Sequence, residues 1–216
     1  MGFMTLLDIA GSIVVGAFVI LMVLNLNDAA VENTYNYNGE LTLQENLTEV
    51  VQLLEYDFRK IGYCADPAHS PEPAASIVSA DSERISFLTD VSTPGAPQGD
   101  GIPDTLTYTL GSVNELASTQ NPRDRILYRR VNAGPAVGSN LGVTAFRLHY
   151  FDGLGHPIPL PVAVPGQIQA IQIDVAVENV MAYDKREKLA TGDSTENYSL
   201  ALWRSIHLTA RNLTNR

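Results

Sequence analysis

Residues 9–24 read IAGSIVVGAFVILMVL, a run with no charged side chain and a single hydroxyl group. Together with Phe3, Leu6 and Leu7, this run approaches the roughly 20 apolar residues that a helix needs to cross a bilayer. A cleaved secretory signal would have a basic start and a small-residue cleavage site after the apolar run, and this sequence has neither. We therefore expect residues 1–27 to form a retained hydrophobic helix, in a membrane or in the core of a filament.

Asp8 is the only charged residue among the first 27. A carboxylate in hydrocarbon costs roughly 3 kcal/mol unless it finds a partner. Two interpretations stay open: Asp8 lies at headgroup level as the polar start of the helix, or it neutralises the N-terminal amine of a neighbouring subunit in a helix bundle. The residues that we expect to carry assembly are Phe3, Met4, Leu7, Asp8, Ile13 and Phe18.

The charge of the chain limits its partners. Its 216 residues include 24 Asp and Glu against 14 Lys and Arg, for a net charge of -10. An acidic domain repels nucleic acid and anionic lipid, so we expect neither to bind the part of the chain that follows the apolar helix. The lone Cys64 excludes an internal disulfide framework, and it is either a buried small hydrophobe or a thiol that pairs between chains.

A second helix is predicted by apolar residues at spacings of three and four, with Gly62 as its stop. These apolar residues are Leu47, Val50, Val51, Leu54, Phe58 and Ile61. The polar residues of this segment are assigned largely to the other faces, and they are Glu45, Glu49, Gln52, Glu55, Asp57 and Lys60. The Asn-rich stretch 25–40 leaves three outcomes open, a continued helix, a bend or local melting, and residues 28–62 are assigned as linker and amphipathic helix.

Beyond Gly62 the apolar residues alternate with polar ones, which predicts half-buried strands. About six strands are expected, at 84–88, 105–110, 125–131, 144–150, 171–178 and 198–208. No second long helix is available for parallel crossovers, so the predicted class is α+β with a largely antiparallel sheet. Residues 63–216 would then form a β-rich head, and residues 28–216 one folding unit.

The order of these segments resembles the PilW-type minor pilins and the J-type pseudopilins of type II secretion. The resemblance covers nearly the full chain. It is carried by GFMTLLD at 2–8, LEYDFRKIGYC at 54–64, ISF at 85–87, DGIPDTLTY at 100–108, LYR at 127–129, GVTAFRLHYF at 142–151 and IHLTARN at 206–212. Members of that family carry a basic leader and a Glu at the fifth mature position, whereas here Asp8 is sixth after a cut behind Gly2 and fifth after a cut behind Phe3.

The resemblance implies a pilin-like lollipop fold, with the long helix packed on the sheet. It also implies a structural subunit, held in the inner membrane and then assembled with copies of itself or with related pilins into an extracellular filament or a periplasmic pseudopilus. Two other function classes stay open. One is a membrane-anchored extracytoplasmic enzyme or ligand-binding domain, and the other is a structural protein of a virus or another appendage.

Sites for chemistry are sparse in the sequence. Asp90, Asp100 and Asp104 surround a D-G-x-x-D turn that resembles a calcium loop, but the full EF-hand pattern and its liganding Glu are missing, so an acidic hairpin turn is favoured over calcium. The four histidines lack the spacing of a zinc helix, and no nucleophile elbow, phosphate loop or dinucleotide fingerprint is present. We therefore expect no catalytic residues and no cofactor.

Overall fold

The structure is a computed structural model of the chain, and it describes residues 2–119, 121–179, 201–209 and 211–214. Within helices and strands, the side chains of residues 2–8, 32, 35, 36, 211 and 214 lie outside the described part. The chain divides into two compact units, Met1–Leu41 and Thr42–Arg216.

The N-terminal element is a single α-helix, α1, which covers Gly2–Arg59. Of the three outcomes left open for the Asn-rich stretch 25–40, the structure has the continued helix. Gly62 follows the end of α1 with φ of 73°, a left-handed backbone that disfavours side chains. A Cβ at Gly62 would also lie 2.7 Å from Ser76 Oγ, so both the backbone and its neighbours require glycine at this predicted stop.

Two antiparallel sheets make up the rest of the second unit. Sheet 1 has the strand order β1-β2-β3-β4, with β1 at Ile77–Ala80, β2 at Arg84–Thr89, β3 at Asp104–Leu110 and β4 at Leu127–Val131. Sheet 2 has the order β5-β6-β7, with β5 at Val143–Phe151, β6 at Ala170–Glu178 and β7 at Ala201–Leu208. A short helix, α2, covers Arg211–Thr214. The predicted α+β class with antiparallel pairing is confirmed.

The strand predictions differ from the structure in three details. Strand β1 was not predicted, because four residues with both central positions exposed show no alternation. The predicted single sheet is divided in two, with β4 and β5 in different sheets. Residues 198–200 of the last predicted strand lie outside the described residues.

One hydrophobic core lies between α1 and the inner faces of both sheets. Leu54, Phe58 and Ile61 of the predicted helical stripe are fully buried there. They meet the buried alternating residues of the strands, which include Phe87, Leu106, Tyr108, Phe146, Leu148, Tyr150, Ile173 and Val175. Burial of each large apolar side chain stabilises the fold by roughly 1.5–3 kcal/mol.

The assignment of Asp57 to a polar face of the helix is wrong. Asp57 is only 3% exposed. It follows Leu54 by three residues and precedes Ile61 by four, so helical geometry places it within the apolar stripe. A buried carboxylate is tolerated only where it is paired and hydrogen-bonded. Asp57 is therefore expected to have a charged partner in the core.

Candidate functional site

The apolar segment of α1 is uncovered along its whole length. Residues Ile9–Val31 form a helical stretch of 23 residues with a mean hydropathy of 2.5, and none of it is buried. Ile13 is 66% exposed and Phe18 is 60% exposed. In the described part of the chain this is the one helix long and apolar enough to cross a membrane.

The other predicted assembly residues are placed only in part. Phe3, Met4, Leu7 and Asp8 belong to α1 by their backbone, but their side chains lie outside the described residues. Their roles in assembly therefore stay predictions.

In the second unit, Asp57 joins α1 to two strands of sheet 1. Tyr108 of β3 donates its hydroxyl hydrogen to Asp57 Oδ2 at 2.5 Å. Arg129 of β4 donates from Nε to the same oxygen at 2.6 Å and from a terminal nitrogen to Oδ1 at 3.3 Å. The carboxylate thus has a charged partner and three hydrogen bonds, which offset the cost of its burial.

The surroundings of Tyr108 and Arg129 raise the pKa of both groups. Burial, followed by the negative charge of Asp57, raises the pKa of Tyr108 far above its ordinary value. Burial opposes the charge on Arg129, but its hydrogen bond to Asp57 and the charge of that carboxylate raise the pKa of the guanidinium. Neither group exchanges protons near neutral pH, so the cluster is a structural anchor and not a proton-transfer site.

The carboxylates of the calcium candidate have partners within their own loop. Asp90 is fully buried, and its oxygens accept hydrogen bonds from the backbone N–H groups of Ala65, Asp100 and Gly101 at 2.9–3.0 Å. Asp100 accepts from Ile102 N, and Asp104 accepts from Val91 N and from the Asn132 side chain. Among the described residues no group of three His, Cys, Asp or Glu side chains could hold a metal ion.

Glycine is required where the loop closes over Asp90. Gly99 has φ of 111°, and a Cβ at this position would lie 2.0 Å from a carboxylate oxygen of Asp90. Because no side chain fits there, the backbone N–H groups of the turn can approach the carboxylate directly. The D-G-x-x-D turn that resembles a calcium loop is folded around the anionic side chain of Asp90.

The thiol of Cys64 has the environment of a core residue. Cys64 is buried and is not in a disulfide. Burial, together with the charges of Asp90 and Asp66, raises the pKa of the thiol. Because only the thiolate is nucleophilic, the structure favours the first of the two interpretations of Cys64, a buried small hydrophobe.

An apolar groove of about 490 Å³ lies beside the Asp57 cluster. Val50 and Leu53 of α1 form one wall, and Leu127 and Val131 of β4 form another. The loop that follows β4 supplies Pro135, Val137 and Leu141. The volume and the aliphatic lining of the groove are within the range of small-molecule sites. The sequence pattern did not predict the groove, because its walls come from segments that are far apart in the chain.

Comparisons with known proteins give a distant likeness to a solved structure. No family model matches the chain, and no curated protein matches it. Among solved structures it is similar to the type IV-like pilin TTHA1219 from Thermus thermophilus, with 12% sequence identity, coverage of 79% of this chain and 96% of that chain, and a TM-score of 0.44. A likeness at this distance does not show what the chain does.

Proposed function

We propose that this chain is a structural subunit of an extracytoplasmic, type IV pilin-like filament or pseudopilus. The observation that carries the proposal is the uncovered apolar helix Ile9–Val31. Such a surface needs a non-aqueous neighbour, either lipid or other apolar helices. The helix would first hold the subunit in the inner membrane and then pack with copies of itself or with related pilin subunits in the core of a helical filament.

The length of the helix suits both environments. At 1.5 Å per residue, 23 residues extend roughly 35 Å, slightly more than the roughly 30 Å of bilayer hydrocarbon. Between Ile9 and Asn27 the helix has no charged residue, so over that stretch the exchange of lipid for neighbouring helices requires no ion to be desolvated. Asp28 lies near the C-terminal end of the segment. Association would then be driven by packing between apolar side chains.

The head supports a binding role more than a catalytic one. The unit Thr42–Arg216 has its own compact fold, and the buried ion pair of Asp57 and Arg129 joins helix to sheet. Cys64 is buried with a raised pKa. We therefore assign function to the surfaces of the head and to the apolar helix.

Shearing of cells tests the proposal directly. Full-length protein expressed in its own cells should appear in sheared surface filaments, and Phe18→Asp should remove it from that fraction because it places a charge in the apolar helix. Gln52→Asp is the matched control, since Gln52 is exposed on the head part of α1, and it should behave like the parent. Protein that stays wholly in the membrane fraction after shearing, and that forms no crosslinks between apolar helices in intact cells, would contradict both the filament and the pseudopilus form of the proposal.

A second candidate, a membrane-anchored ligand-binding domain, is favoured by the apolar groove beside Asp57. Its volume of about 490 Å³ and its Val, Leu and Pro lining suit an aliphatic small molecule. Under this alternative the fragment Thr42–Arg216 would bind such a molecule, and Leu53→Asp would abolish binding. The chain would then be absent from sheared filaments, which separates this alternative from the first proposal.

A further inference from the structure

The outer face of sheet 1 carries a second groove, of about 400 Å³. We call it the outer groove. Its lining includes Arg84 of β2, Thr107 and Thr109 of β3, Tyr128 and Arg130 of β4, and Glu115. It lies on the side of the sheet opposite to Leu106, Tyr108 and Leu110, which are buried in the core.

The strand register brings these side chains onto one face. Thr109 pairs with Arg84 on one side and with Tyr128 on the other, and Thr107 pairs with Arg130. Cross-strand partners project to the same face of a sheet, and so do residues two apart on one strand. The two arginines therefore flank the threonines of β3 from the two neighbouring strands. Two strand spacings and an offset of two residues put their Cα atoms about 12 Å apart.

Neither of the two arginines forms an ion pair within the described part of the chain. Four other arginines, at positions 59, 123, 125 and 129, form ion pairs with carboxylates. Arg84 and Arg130 have no such partner among the described ion pairs, although the chain has ten more acidic than basic residues. Both are exposed, so a ligand from solvent can reach them.

Glu115 sets a limit on the charge of that ligand. Its carboxylate accepts a hydrogen bond from the Tyr128 hydroxyl at 3.0 Å and lines the same groove as the arginines. Two cations and one anion give the groove a charge of +1, which suits a ligand with one negative charge better than a phosphate dianion. The Glu115 carboxylate and the threonine hydroxyls also provide acceptors for ligand hydroxyl groups.

We propose that the outer groove binds a sugar acid, that is, a hydroxylated ring with a single carboxylate. The planar guanidinium groups of Arg84 and Arg130 match a carboxylate with paired hydrogen bonds. Thr107, Thr109 and Glu115 hydrogen-bond the ring hydroxyls, and the half-buried Tyr128 ring offers a flat apolar surface. This inference goes beyond the proposed filament role and does not depend on it.

Ligand-observed NMR with the full-length chain in detergent tests the assignment with four probes. Galacturonate has both the carboxylate and the hydroxyls, galactose has only the hydroxyls, acetate has only the carboxylate, and inorganic phosphate has a different anion. Galacturonate should bind at least about 10-fold tighter than each of the other three. Equal binding of acetate or phosphate, equal binding of galactose, or no galacturonate binding on the order of 10 mM would each overturn the proposal.

Substitutions locate the site. Arg84→Gln and Arg130→Gln should each weaken galacturonate binding by roughly 10-fold while leaving the melting temperature of the protein unchanged. The matched controls are Arg147→Gln and Arg204→Gln, which remove exposed arginines outside this groove and should leave binding as in the parent. An equal loss of galacturonate affinity in the control variants would show that the ligand is attracted by positive charge in general, and it would overturn the assignment of the site.

Glu115→Gln separates charge from hydroxyl recognition. Removing this carboxylate raises the groove charge from +1 to +2, so phosphate should bind more tightly than it does to the parent. The preference for galacturonate over acetate should shrink, because one acceptor for ring hydroxyls becomes a weaker one. An unchanged ligand preference in this variant would contradict the role given to Glu115.

Discussion

The hydroxyl of Tyr108 on β3 donates a 2.5 Å hydrogen bond to Oδ2 of Asp57 on α1, and Arg129 of β4 binds the same carboxylate. Asp57 and Tyr108 are almost fully buried. The helix is therefore attached to sheet 1 by a directional polar contact as well as by apolar packing. Because hydrogen bonds weaken when their angles are distorted, these contacts oppose rotation of the helix against the sheet.

Asp57→Ala should destabilise the head by about 2–4 kcal/mol. The change leaves the Tyr108 hydroxyl and the Arg129 guanidinium without their partner, and breaking a buried ion pair from one side is costly. The estimate lies below that for a fully buried pair because the Arg129 side chain is 27% exposed. Urea unfolding of the fragment Thr42–Arg216 measures it, with Glu55→Ala as control.

Glu55 also pairs with an arginine, but its partner Arg59 is 67% exposed. Exposed pairs along a helix contribute at most about 0.5 kcal/mol, so the control should be nearly neutral. Equal unfolding free energies for the two variants would mean that the Asp57 cluster does not hold the helix on the sheet.

Phe58→Asp should prevent the head from folding. Phe58 is fully buried and packs its ring against Phe87 and Tyr108, with ring centroids 5.3 and 5.7 Å apart. The substitution removes the aromatic contacts and buries an unpaired charge, at a cost of about 4 kcal/mol or more. Circular dichroism melts of the fragment should show no cooperative transition, as should those of Leu54→Asp. Gln52→Asp, on the exposed face of the same helix, should melt like the parent.

Acid should weaken the head through Asp90. Burial raises the pKa of this carboxyl, but the backbone N–H groups of Ala65, Gly101 and Asp100 outweigh burial and hold the pKa below its ordinary value of 3.8. Because the folded pKa lies below the unfolded one, the stabilisation is fully present above about pH 4 and is lost as pH falls through the folded pKa. Urea unfolding between pH 2 and 7 should show this loss.

The variant Asp90→Asn identifies the residue responsible. It should be less stable than the parent at neutral pH, because an amide cannot accept as strongly from three N–H groups. Its unfolding free energy should fall less steeply below pH 4 than that of the parent. Glu72→Gln, at an exposed position, serves as control, and a parent-like acid profile in Asp90→Asn would assign the loss to other carboxylates.

Much of the fold follows from local patterns in the sequence. The three-and-four spacing of Leu54, Phe58 and Ile61 predicts the buried stripe of α1, and the alternation of Leu106, Tyr108 and Leu110 predicts the inner face of β3. Both signals arise within one element, where the geometry of the backbone repeats. The apolar run of residues 9–24 is equally local, and the structure places it on α1.

The features that were missed depend on pairing between distant segments. The division into two sheets is decided by which strands pair, and the local alternation of β4 and β5 contains no information about it. Arg84 and Arg130 reach one groove only through the β2-β3-β4 register. Asp57 could have been found, since its spacing from Leu54 and Ile61 places it on the buried stripe, and a polar residue at such a position indicates a buried partner.

Asp8→Asn tests the electrostatic hypothesis for assembly. If Asp8 neutralises the N-terminal amine of a neighbouring subunit, the amide variant should insert in the membrane and fold its head but give fewer filaments. Acetylation of the N-terminus removes the positive charge of the amine that Asp8 would neutralise, so it should cause the same defect. If Asp8→Asn forms filaments with the yield and the subunit rise of the parent, the electrostatic hypothesis is wrong. Asp8 would then be only the polar start of the helix.

Electron microscopy of the purified full-length protein tests the central claim most directly. The account predicts filaments with helical symmetry, in which density for residues 9–31 lies in the core, away from detergent and water. The fragment Thr42–Arg216, prepared in parallel, should be soluble and monomeric because it lacks that helix. The account would be contradicted by full-length protein that remains a single subunit in a detergent micelle both alone and when mixed with the other pilin subunits of its own cells. A fragment that polymerises without the helix would contradict it as well.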